Sequence, residues 1–145
     1  MRTLREKVEN AVSSYLNSAV GGNVRYLTGL GDFEVEFPAV VSSFVGAEEI
    51  HPAAHHWNVE VLVATVSNAN PNTETNAAAA HGDLVGRVVS ALEIEGLHDF
   101  LMSADPDLLV NGIISSREEQ PDIEERNDQP VFSSGYTITF PAGHK

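Results

Sequence analysis

The stretch Trp57-Asn58-Val59-Glu60-Val61-Leu62-Val63-Ala64-Thr65-Val66 alternates apolar with polar residues at its start and becomes apolar on both faces by Val61. Alternation marks a strand with one face in water. An apolar second face marks a strand at the centre of a sheet, partly covered on that side too. Such a strand needs neighbours and a cover, and the rest of the chain is read for both.

From about Thr3 to Val20, Leu4, Val8, Ala11, Val12, Tyr15, Leu16 and Ala19 recur at three- and four-residue steps, the spacing of one helical face. Glu6 and Glu9 lie near its start, where the helix dipole favours negative charge. Gly21-Gly22-Asn23 supplies a C-cap. A second stripe of Ala77, Ala80, His81, Leu84, Val85, Val88 and Leu92 predicts a helix opened by Asn70-Pro71 and closed near Glu95 and Gly96. Leu97 to Met102 reads as a further short helix.

Strand patterns occur at Val24 to Leu27, at Phe33, Val35 and Phe37, and at Ala39 to Val45. Two more lie at Leu108 to Ser116 and Val131 to Phe140. The polar, proline-containing stretch Gly46 to His56 reads as a long hairpin loop, and Arg117 to Pro130, with six acids and two arginines, as a solvated or partner-contacting loop. The expected fold is one α+β domain over residues 1–145, in the order α-β-β-α-β-β. It has a single sheet of about four to five strands, with two main helices packed on one face.

Composition narrows the function. Twenty-one acids against eight bases leave a net charge of −13, which repels nucleic acid and argues against its stable binding. Zero cysteines exclude disulfides, thiolate zinc sites and a thiol nucleophile. No apolar run reaches the roughly 18 residues of a membrane span, and no apolar segment backs the basic residues at the N-terminus. A cytosolic product is expected, with no membrane contact.

Chemistry-bearing residues are present without a chemistry-bearing pattern. His51, His55 and His56 beside Glu48 and Glu49 invite a metal reading, since His51 and His55 are four apart and would share a helical face. The spacing matches no motif with a mechanism, so the loop is expected to be metal-free and no cofactor is expected. His81-Gly82-Asp83 has no accompanying serine motif, and His81 reads as a boundary residue on the buried stripe. Gly29-Leu30-Gly31 is not a phosphate fingerprint. Glu118-Glu119 and Glu124-Glu125 have no apolar shielding to hold one carboxyl protonated, so solvation accounts for them better than acid–base catalysis.

The helix-forming N-terminus, Phe37-Pro38-Ala39-Val40-Val41-Ser42, Val59-Glu60-Val61-Leu62-Val63, Asp83-Leu84-Val85-Gly86-Arg87-Val88, Val110-Asn111-Gly112-Ile113 and Tyr136-Thr137-Ile138-Thr139-Phe140 together resemble the tail-terminator (tail-completion, or neck) proteins of long-tailed bacteriophages. The resemblance spans nearly the whole chain. It implies a non-enzymatic virion protein, made in the host bacterial cytoplasm. Such a protein forms a homo-hexameric ring that caps the tail tube, ends its polymerisation and meets the head-tail connector or stopper protein, while DNA passes through without stable binding. On this reading Arg87 is a candidate subunit contact, and Glu48, Glu49, His51, His55 and His56 are candidate hairpin contacts. Glu118, Glu119, Asp122, Glu124, Glu125 and Asp128 either line the channel or its mouth or cover the outer surface. A head-completion or stopper protein is the alternative of the same shape, and a small His/Glu metal-dependent hydrolase the alternative of another class.

Overall fold

The structure is a computed structural model. It describes residues 4–22, 24–29, 38–51, 56–68, 77–93, 100, 108–110, 115–118, 122–126 and 129–144. The fold is α+β. Among the described residues the elements are α1 (Leu4–Ala19), β1 (Arg25–Thr28), β2 (Ala39–His51), β3 (His56–Asn68), α2 (Ala77–Glu93), β4 (Leu108–Val110), β5 (Ser115–Glu118), β6 (Asp122–Arg126) and β7 (Gln129–His144).

The sheet runs β1-β2-β3-β7-β4, with β5 and β6 also paired to β7. β1 is parallel to β2, and every other pairing is antiparallel. β4, β5 and β6 lie in succession along one edge of β7, at Leu108↔His144, Ser115↔Thr139 and Asp122↔Ser133. They act as one outer strand in three pieces. The sheet is therefore five strands wide, as the patterning anticipated.

β3 is central, as its doubly apolar sequence requires, paired along its length with β2 and β7. Register places Val61 beside both Phe44 and Ile138, and Val63 beside Ser42 and Tyr136, so these side chains share one face. Both helices cover that face, α1 over β1 and β2, α2 over β3 and β7. The core joins Val8, Val12 and Leu16 of α1 and Leu84, Val88 and Leu92 of α2 to Val40, Val59, Val61, Val63, Tyr136, Ile138 and Phe140. On the opposite face Ala39, Val41 and Val66 are also buried.

Polar anchors fix the helices on the sheet. β1 pairs with β2 only from Ala39 to Ser42, and just past that point the Phe44 N–H donates to the buried Glu9 carboxylate at 3.0 Å. Glu9 thus satisfies a ladder donor that β1 does not reach. Its other oxygen lies 3.7 Å from Arg5 Nε. α1 is followed by Gly21 and Gly22, whose φ values of 64° and 77° are left-handed, as the diglycine predicts.

Two loop expectations are corrected. Gly46 to His51 belongs to β2, with Ala47↔Val59, Glu48↔Asn58, Glu49↔Trp57 and His51↔His56 in register. The register slips between Phe44 and Gly46 and again between Glu49 and His51. These bulges break the period-two pattern that would have marked the strand. His51 is therefore on a strand, and the shared helical face drawn for it and His55 does not exist; His55 lies outside the described residues. The Arg117 to Pro130 stretch is mostly strand as well: Arg117 and Glu118 end β5, Asp122 to Arg126 form β6, and Gln129 and Pro130 begin β7. An outer strand tolerates acids that a central strand would not, and such charges discourage edge-to-edge aggregation. Glu119, Asp128, the strand read at Phe33 to Phe37, the Asn70-Pro71 helix start and the short helix at Leu97 to Met102, except Phe100, also lie outside the described residues.

Candidate functional site

α2 buries Leu84 and Val88 and turns Gly82, Asp83, Gly86, Arg87 and Ser90 outward. Against them stand Tyr15, Ala19 and Val20 at the end of α1, and the two helices bound an open cleft of about 550 Å³. Gly82 and Gly86 are four apart and share the outward face. Among the described residues a Cβ placed on either would meet nothing within 4 Å, and neither has a positive φ. Packing against the described residues and backbone conformation therefore do not require glycine at these positions. Glycine inside a helix costs about 0.5–1 kcal/mol relative to alanine. The molecule gives up that stability and gains bare backbone along the cleft.

Arg87 borders the cleft with its side chain 49% exposed, 3.6 Å from the Asp83 carboxylate one turn earlier. That pair is solvent-exposed and worth a few tenths of a kcal/mol. The guanidinium also reaches the turn after α1: Nη1 lies 3.8 Å from where a Gly22 Cβ would be. Burial raises the Tyr26 hydroxyl pKa, and the nearby Arg87 charge opposes the rise. Arg87 is thus held over the junction of α1, β1 and α2 while keeping an exposed donor face.

Among the described residues, the other sequence-selected positions lie away from the cleft, toward two opposite ends of the sheet. Glu48 and His51 lie toward the β2–β3 hairpin, where His56 is opposite Gly143. Asp122, Glu124 and Glu125 lie toward the β6–β7 hairpin, near Asn68↔Val131. Along β3 the two ends are separated by about 40 Å at the usual strand rise. Among the described residues no three His, Asp or Glu side chains group as a metal site.

A constellation that the sequence did not reveal sits beneath α2. His81 is 6% exposed, with Nδ1 2.8 Å from the Ser67 hydroxyl and Nε2 2.9 Å from that of Ser134. Its ring stacks on Phe132 at 5.4 Å and 28°. Ser67 and Ser134 are themselves buried. Burial lowers the His81 pKa from its ordinary 6.5. A serine bonded to a histidine resembles a nucleophile and its base, but the ring points into the sheet rather than the cleft, and its second nitrogen meets a serine where an orienting carboxylate would stand. The arrangement ties α2 to β3 and β7. The stripe pattern marks His81 as buried, but no local signal identifies partners 14 and 53 positions away.

Searches of the sequence against protein-family profiles and characterised proteins find no match.

Proposed function

We propose that this chain is a structural subunit that assembles with copies of itself into a ring, most simply a hexamer, capping the tail tube of a long-tailed phage. The cap ends tube polymerisation and offers its other side to the head-tail connector or stopper protein, while DNA passes through the ring. The observation that carries the assembly reading is the outward face of α2. Gly82 and Gly86 expose backbone beside Arg87 at a stability cost that no packing among the described residues explains, and close approach by another chain accounts for it. The phage-tail assignment rests on the resemblance in the strand and helix motifs.

Two further features support the reading. The β2–β3 and β6–β7 hairpins lie toward opposite ends of the sheet, an arrangement suited to a subunit that meets different neighbours above and below. Six copies at −13 carry about −78, so association requires a specific interface that outweighs the repulsion. A contact at the α2 cleft that pairs Arg87 with a neighbour's acid meets that requirement.

Native mass spectrometry at tens of micromolar, alone and with tail-tube protein, tests the proposal. Six copies of 15.6 kDa give a species of about 94 kDa, and tubes assembled in its presence should be shorter. A strict monomer that also fails to bind tubes contradicts it, and binding to the connector with none to the tube identifies the stopper role instead.

A further inference from the structure

We propose that His81 is a pH-sensitive latch that holds α2 on the sheet, closed while its ring is neutral and released when the ring takes up a proton. The neutral ring fits its site: one nitrogen donates and the other accepts, and a serine hydroxyl satisfies either. The imidazolium donates from both nitrogens and brings a charge into a site that is 6% exposed. Desolvation of that charge opposes protonation in place.

No charged side chain described around the latch pairs with the ring. On α2, Asp83 lies two residues on, but its side chain is 76% exposed and paired with Arg87. On β3 the described ionisable residue nearest in sequence is Glu60, opposite Thr139, well along the strand from Ser67. β7 contributes Phe132 and Ser134. β6 brings Asp122, Glu124 and Glu125 to register positions beside Ser133, Val131 and Pro130, on the strand neighbouring the latch. Among the described residues, no carboxylate is hydrogen-bonded to the ring.

The depressed folded-state pKa agrees with this geometry and sets the direction of the effect. Above about pH 6.5 the ring is neutral in folded and unfolded chains alike, and the latch adds no pH dependence. As pH falls below that value the unfolded chain binds a proton first, so stability is lost until the pH passes the lowered folded-state pKa. Because α2 packs on β3 and β7 and Phe132 under the ring pairs with Ile123 of β6, opening the latch frees α2 above β3 and β7 and changes the surface available for assembly.

Thermal unfolding of the full chain between pH 7.5 and 5, for the wild type and His81→Gln, tests the latch. Glutamine can bond both serines without titrating. The wild-type Tm should fall by roughly 4 °C more than that of the variant over this range. Ring-nitrogen NMR should find His81 neutral until the tertiary signals change. Equal falls in Tm, or a His81 ring that titrates near 6.5 with tertiary signals intact, overturn the proposal. The ring titration decides the matter if the variant does not fold.

Discussion

The Tyr15 hydroxyl donates a hydrogen bond of 2.6 Å to the backbone carbonyl of Ala91, 76 positions along the chain. Ala91 lies in the last described turn of α2. Tyr15 also packs on Phe100 at 5.3 Å and lines the cleft. A single side chain therefore fixes the spacing of the two helices. Tyr15→Phe should cost about 1–2 kcal/mol, read as a lower midpoint in urea with an unchanged slope. An unchanged midpoint would mean that the helices hold their spacing without this bond.

Glu9 makes a comparable claim at the sheet. Removing its carboxylate strands the half-buried Phe44 N–H, so Glu9→Ala should cost about 1–2 kcal/mol. Glu9→Gln, which still offers an oxygen, should cost about half that. Chemical denaturation separates the two, and equal losses would mean that Glu9 acts through its charge on Arg5 rather than by accepting the ladder donor.

Ser42 tests the core in the opposite direction. Its hydroxyl is buried with no hydrogen-bond partner among the described residues, so Ser42→Ala should leave stability unchanged or raise it by up to about 1 kcal/mol. A loss beyond about 1 kcal/mol would reveal an acceptor or donor that this structure does not pair with it.

What the sequence discloses follows from how each element meets water. α1 was legible because Val8, Val12 and Leu16 bury one face, and β3 because Val61 and Val63 lie under the helices while Val66 is buried behind them. The second half of β2 was not legible. Glu48 and Glu49 read as loop although they are paired with Asn58 and Trp57, and the slip past Phe44 leaves Val45 52% exposed, out of phase with the pattern. β6 was hidden in the same way, as acids on an outer strand. Arg87 was singled out from sequence, but its cleft was not, because the value of Gly82 and Gly86 lies in what is absent above them. The Ser67–His81–Ser134 tie depends on three distant segments meeting.

The acids on the outer strand carry a prediction about DNA. If Glu118, Glu119, Glu124 and Glu125 face the channel of a ring, replacing all four with lysine should preserve assembly while creating salt-sensitive DNA retention, since each neutralised phosphate releases counterions. Infectivity should fall as well. A quadruple variant that assembles, ignores DNA at low salt and supports normal infection assigns these acids to the outer surface.

Self-association through the outward face of α2 is the central claim, and sedimentation velocity of the wild type and Gly86→Leu at tens of micromolar, with and without tail-tube protein, tests it most directly. The β-carbon of the introduced leucine meets no described residue within 4 Å, and leucine replaces glycine in a helix, so the variant should fold with an equal or higher Tm in its monomeric form. The account predicts that the wild type sediments as a ring of about 94 kDa, on its own or once tube protein is supplied, and that the folded variant remains monomeric in both conditions. A wild type that stays monomeric throughout, or a Gly86→Leu variant that assembles as the wild type does, contradicts it.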